Sequence, residues 1–160
     1  MNKKEKLIKD IGNRFKMKLF MLMKLPLGFF TGLRVVKITE EMASVTIPFK
    51  NLNKNPFQSI YFAALAMAAE LSTGVLAMAS IKGSGKNVSM LVYDMSANFS
   101  KKAKGRITFT CNQGREISET VEESMRTNEG KTVSVNTIGI DKDGDEVARF
   151  IFTWTFKPKL

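Results

Sequence analysis

Between Ser59 and Ile81 the chain runs through about twenty apolar or small residues and one charge, Glu70. A lone carboxylate in so apolar a helix is costly to bury unless it is paired or used, so this segment is where chemistry is expected. A carboxylate held there can act as a general base on water. Its neighbours on the helix surface, Ala63, Ala66, Thr73, Gly74 and Ala77, are small, which leaves room for close approach on that side. The plainer alternative is a Glu70 satisfied by loop amides or a lysine, helping to hold two subunits together. The sequence contains no histidine. This removes Ser-His-Asp and Cys-His catalysis and every metal site built on imidazole, and no metal is expected. Acid and base work falls to Asp, Glu, Lys or Tyr, with Asp94 as a secondary acid. Asn51, Asn53 and Asn55 precede the helix and can orient water or substrate, or simply build a loop. Lys101, Lys102 and Lys104 form a cationic cluster suited to an anion or to solvent. Cys111 alternates inward and reads as core.

The elements that must position these groups follow from period and punctuation. Leu33 to Thr39 and Met42 to Phe49 read as a hairpin closed by Pro48 and the polar loop NLNKNP. The apolar stretch 59–81 is a long buried helix. After the loop KGSGK, Val88 to Ser100 is a strand on which Leu91, Tyr93, Met95, Ala97 and Phe99 share one face, with Tyr93 expected in the core; Arg106 to Cys111 alternates as another. Residues 115–127 carry Ile117, Val121 and Met125 at helical spacing among glutamates. Thr132 to Asp141 and Glu146 to Lys157 flank the turn DKDG as a last hairpin. At 160 residues, with 44% hydrophobic and 25% charged, one domain over 1–160 is expected.

Charge is uneven. Of 25 Lys and Arg, eight fall in residues 1–24, against Glu5 and Asp10. Leu7, Ile8, Ile11, Phe15, Leu19 and Leu22 recur there at helical spacing, so 1–24 reads as an amphipathic helix with a basic outer face. Such a helix docks by its apolar stripe on the domain with solvated lysines, or lies on an anionic surface. Aromatic residues do not interleave with the basic ones, so no nucleic acid partner is expected. The stretch 59–81 is long enough to span a bilayer, but a central carboxylate disfavours insertion by roughly 2.5 to 3.5 kcal/mol, so no transmembrane segment is expected. One cysteine allows no intramolecular disulfide, and a cytoplasmic protein is expected.

Element order and three motifs together resemble the hotdog fold of acyl-CoA thioesterases. Asn53-Lys54-Asn55-Pro56-Phe57-Gln58-Ser59-Ile60-Tyr61 stands where that family carries a turn leading into its central helix. DMSANFSKKAKG, Asp94 to Gly105, is similar to its strand ending in an aromatic residue and a tight turn, and DKDGDEVARFIFTW is similar to its closing hairpin. The resemblance spans roughly residues 33 to 157. It implies an α+β architecture, with about six antiparallel strands wrapped around a long central helix, here preceded by an extra N-terminal amphipathic helix. It also implies a homodimer or dimer of dimers with an acyl-CoA thioester bound between protomers and no cofactor beyond the coenzyme A of the substrate. Backbone amides at the helix start would polarise the thioester carbonyl and a carboxylate would activate water. Gln58 and Ser59 fall at those amides, Asn55 beside them, Glu70 as the acid, Asn53, Tyr61 and Thr73 against substrate, and Lys101 and Lys102 near the phosphates. Ser59 serves equally as an N-cap. Two positions depart from the family pattern: Ala66 or Met67 occupies its usual acid site, one turn before Glu70, and Phe57-Gln58 replaces a histidine-glycine pair. The implied reaction is thioester hydrolysis; the alternative is a hotdog protein that binds acyl-CoA or lipid without turnover.

Overall fold

A computed structural model describes residues 2–159. Helix α1, Lys3–Gly12, opens on a capping box between Asn2 and Glu5. The expected single helix over 1–24 breaks at Asn13, whose Oδ1 accepts the amides of Phe15 at 3.1 Å and Lys16 at 3.0 Å and so starts a second helix, α2, Arg14–Lys24. Gly and Asn in succession are poor helix formers, and Asn prefers the cap. The break resets the helical phase. Ile11 faces the core and Leu7 packs at its edge, yet Met17 and Met21 become the buried side of α2, while Phe15, Leu19 and Leu22 turn outward. Pro26 then opens a short helix α3, Pro26–Thr31, which ends on Gly32 with φ of 83°.

The sheet consists of β1 (Arg34–Ile38), β2 (Ala43–Ile47), β3 (Val88–Phe99), β4 (Ile107–Cys111), β5 (Lys131–Ile140) and β6 (Glu146–Pro158). Its order is β1-β2-β4-β5-β6-β3, and every pairing is antiparallel. Helix α4, Phe62–Ser84, joins β2 to β3 and lies against the inner face, where Phe150, Phe152, Trp154 and Phe156 of β6 alternate inward. Helix α5, Gly114–Thr127, packs beside α4 through Ile117 and Val121. This is the hotdog arrangement, with β3 left as an edge strand. Helix α4 is long and apolar enough to cross a membrane, but most of it is core.

Register corrects the reading of β3. The ladder skips one residue between Val92 and Asp94, so Val92 pairs Trp154, Asp94 pairs Thr153 and Met95 pairs Phe152. Alternation in a sequence cannot see such a bulge, which flips the faces on either side of it. Met90 and Val92 therefore share the inner face with Met95, Ala97 and Phe99. Leu91 is outward, and Tyr93, expected in the core, is 73% exposed. Asp94 stands with Thr153 on the face away from α4.

The inner layer tolerates no added volume at β5. A Cβ on Gly139 would lie 2.5 Å from the Phe109 ring, whereas one on Gly130 meets nothing. Gly139→Ala is therefore expected to cost about 1–3 kcal/mol in chemical denaturation, with Gly130→Ala within about 0.5 kcal/mol of wild type.

Candidate active site

A cleft of about 450 Å³ opens where the loop after β2, the first turn of α4 and the far end of β3 meet. Its walls bring together five residues singled out from the sequence, Asn55, Ser59, Tyr61, Lys101 and Lys102, with Phe62, Leu65 and Phe99 as an apolar lining. Gln58, Asn53, Glu70 and Thr73 do not line it.

The loop is organised by Asn55. Its Oδ1 accepts the amides of Phe57 at 3.0 Å and Ser59 at 3.2 Å, and its side-chain amide donates to Ser59 Oγ at 3.1 Å. Gln58, exposed and at φ of 58°, donates its own amide to the Asn55 carbonyl at 3.2 Å. The amides of Gln58 and Ser59, expected to face a thioester oxygen, are thus both spent inside the loop. Ile60 and Tyr61 follow in extended pairing, donating to Ala103 O at 2.9 Å and Asn53 O at 2.6 Å. The helix therefore begins at Phe62, three residues later than expected, and Ser59 is not its cap. Tyr61 is the cap residue and offers no side-chain bond. The donors that a helix leaves open at such a start belong to Phe62 and Ala63. No residue type marks that start in the sequence, because Ser59 is the better cap on preference.

Glu70 lies on the half-buried stripe of α4 formed by Ala63, Ala66 and Met67, while most of the rest of the helix is enclosed. Its carboxylate sits over Gly74: a Cβ there would be 3.2 Å from Glu70 Oε1 and 3.6 Å from the Trp154 ring. Among the described residues no cation pairs with it; burial pushes its carboxyl above the ordinary carboxylate range. The adjoining inner face of β3 is also bare, with Met95 45% and Phe99 47% exposed although they point to the helix side.

Three expected substrate contacts are otherwise engaged. Thr73 is fully buried: its Oγ1 accepts the Trp154 indole N–H at 2.9 Å and donates to the Glu70 carbonyl at 2.9 Å. It faces the sheet, so it fixes Trp154 rather than meeting a ligand. Asn53, also fully buried, donates from Nδ2 to Thr31 O at 2.9 Å and Pro48 O at 2.7 Å, tying the loop to α3 and the end of β2. Lys101 reaches across to Asp141 at 2.8 Å and Asp145 at 2.6 Å, in the turn between β5 and β6. Those carboxylates raise its pKa, and Lys101 in turn holds Asp141 below the usual range, so its charge is neutralised within the fold. Tyr61 and Lys102 remain open at the cleft.

Residues 14–156 match the model of a family described as a domain of unknown function, DUF4442. The chain belongs to that family. Among curated proteins none matches it. Solved structures share the fold at low identity. A Pseudomonas aeruginosa protein of unknown function, provisionally termed a thioesterase, is 20% identical over 91% of this chain and 96% of its own, with a TM-score of 0.75. A Shewanella oneidensis protein, also provisionally termed a thioesterase, is 12% identical over 96% and 99%, with a TM-score of 0.77. A Staphylococcus aureus thioesterase, crystallised as a glutamine-to-alanine variant, is 18% identical over 83% and 99%, with a TM-score of 0.65. These neighbours are thioesterase-like hotdog proteins, and the fold is theirs.

Two outcomes follow from the buried polar groups. Thr73→Val leaves the Trp154 N–H without an acceptor and is expected to cost about 1–3 kcal/mol in denaturant unfolding, with Thr73→Ser near wild type. The raised pKa of Glu70 means the folded state holds its proton more tightly than the unfolded chain, so its contribution to stability falls as pH rises above the ordinary carboxylate range. Glu70→Gln is therefore expected to melt above wild type at pH 8, with the gap closing near pH 4.

Proposed function

We propose that the protein hydrolyses acyl thioesters at a site shared by two copies of the chain. The observation that carries this reading is Glu70: a partly buried carboxylate without a cationic partner among the described residues, on a half-open stripe of α4. Glu70 lies eight residues beyond Phe62, about 12 Å along the helix, too far to serve the donors at its own helix start. A two-fold axis beside the edge strand β3 would run the two α4 helices in opposite directions and carry each Glu70 toward the cleft of the other copy. Exposed Met95 and Phe99 support such a seam. The thioesterase of Staphylococcus aureus has been crystallised with a glutamine and, separately, a glutamate replaced by alanine. Gln58 and Glu70 supply the same residue types here, at a different spacing.

In this scheme the acyl group enters the cleft against Phe62, Leu65 and Phe99, and the thioester oxygen accepts hydrogen bonds from the Phe62 and Ala63 amides. Glu70 takes a proton from water as its oxygen adds to the carbonyl carbon. Negative charge then gathers on the oxygen at the positive end of α4, where it is most stabilised. Collapse breaks the carbon–sulfur bond, and the Glu70 carboxylic acid returns the proton to the departing thiolate, leaving carboxylic acid and free thiol. Asn55 and Ser59 hold the loop in shape. Tyr61 and Lys102 stand at the mouth, where Lys102 suits the phosphates of coenzyme A. A second reading, binding of acyl-CoA or lipid without turnover, is favoured by the internal bonding of the Gln58 and Ser59 amides; tight acyl-CoA binding with no thiol released over hours would select it.

Thiol release from acyl-CoAs of short, medium and long chain tests the hydrolase. Glu70→Gln is expected to lower kcat by about 10²-fold or more. The wild-type rate should rise with pH through a group titrating above the ordinary carboxylate range, and that limb should be absent from the variant. Equal rates in the two proteins would remove Glu70 from the reaction.

A further inference from the structure

The helices before the sheet carry a surface that the hydrolase reading leaves unused. Helix α2 is apolar on two sides. Met17 and Met21 are buried against the domain, while Phe15, Leu19 and Leu22 form a second stripe facing solvent, with Phe15 77% exposed. Leu27 and Phe30 of α3 are also exposed. The two helices pack together and share a groove of about 340 Å³, walled by Met17, Lys18 and Met21 from α2 and by Phe29 and Phe30 from α3. A side-chain stripe of this size held outward is unfavourable in water alone.

Charge around the stripe has one sign. From Ile11 to Thr39 the sequence holds six Lys and Arg and no Asp or Glu. Arg14, Lys18, Arg34 and Lys50 line the same groove, and no acidic residue does. Lys18 lies over the Phe29 ring, its Nζ 5.7 Å from the centroid, and Lys50 donates to the Phe30 carbonyl. Four cations converge on a pocket that adjoins apolar side chains pointing away from the protein.

We propose that α2 and α3 form a docking surface for an anionic lipid bilayer. Phe15, Leu19 and Leu22 enter the boundary between headgroups and acyl chains, and Arg14, Lys18, Arg34 and Lys50 meet lipid phosphates in the groove. A flat-lying helix with an apolar stripe and basic flanks has the two attractions that interfacial binding needs, burial of apolar area and pairing with anionic lipid. The chemistry favours lipid over the other occupants. Leu19, Leu22 and Leu27 do not stack on bases as nucleic-acid platforms do. A second copy of this face would set Arg14 and Lys18 against their own kind across a two-fold axis. The inference holds whether or not the cleft cleaves a thioester.

Sedimentation of the full chain with vesicles tests it, using phosphatidylcholine alone and phosphatidylcholine mixed with phosphatidylglycerol. The protein is expected to partition onto the mixed vesicles and to be released as salt rises. Phe15→Ser with Leu19→Ser should lower that partition about tenfold or more, because two buried apolar side chains are lost. Arg14→Glu with Lys18→Glu should lower it by a comparable factor. All four side chains are exposed, so melting temperatures close to wild type are expected and report that the variants fold. Absence of wild-type binding to the anionic vesicles, or undiminished binding by both variants, would overturn the proposal. Failure to bind vesicles together with retention of duplex DNA would assign the face to nucleic acid. Failure together with an altered oligomeric state of the Phe15→Ser, Leu19→Ser protein would assign it to a second copy. Either result overturns the lipid assignment.

Discussion

Seating a 23-residue helix against a curved sheet is the constraint from which the rest of this molecule follows. Close approach is possible because α4 is built largely from Ala, Ser, Thr and Gly, and two cross-layer hydrogen bonds lock its rotation. One joins the Trp154 indole to Thr73, and the other joins Ser72 to Thr137 at 2.8 Å. With that rotation set, Glu70 cannot turn into the layer between helix and sheet, where no partner waits for it. It is held instead on the margin beside Trp154, near the uncovered inner face of β3. The same seating delivers the first turn of α4 to the cleft. A carboxylate at one end of the open stripe and unpaired amides at the other are thus consequences of how a helix of small residues meets a sheet of large aromatic ones.

The edge strand completes that logic. The sheet ends on two strands, β1 and β3. Helices α1 and α2 pack beside β1, whereas on β3 the inner-face side chains Met95 and Phe99 remain about half exposed among the described residues. Sheets seldom leave such an edge unpaired. Pairing with a copy of itself would both bury Met95 and Phe99 and bring Glu70 to a cleft that it cannot reach within its own chain. In the proposed scheme one partner would serve both stability and chemistry.

Much of this was legible in the residues, and the exceptions have physical causes. β-branched richness in the first two strands and alternation in the others marked all six to within two residues at every end, because turn residues bound each of them. Helix α4 stood out by composition, and Glu70 by being its only acid. What escaped were places where one residue changes the phase of everything after it. Asn13 splits the first helix and turns Phe15, Leu19 and Leu22 outward; the bulge after Val92 moves Leu91 and Tyr93 off the inner face. The loop before α4 escaped for another reason. Backbone pairing of Ile60 with Ala103 and of Tyr61 with Asn53 delays the helix, and such long-range bonds leave no local mark. Thr73, Asn53 and Lys101 were visible as polar groups in the right neighbourhoods, but the sequence could not show that Trp154, the carbonyls of Thr31 and Pro48, and the Asp141 and Asp145 carboxylates had already claimed them.

The central claim is that an acid from one chain serves the cleft of another, and subunit complementation addresses it most directly. One chain would carry Glu70→Gln, and the other Ser100→Trp, which adds bulk to the cleft wall from an exposed position. Each homodimer should be nearly inactive. Co-expressed, half of the dimers would be mixed and each would keep one intact site, so about a quarter of wild-type thioesterase activity should return. Mixed dimers that form but show no recovered activity would contradict a site shared between two chains.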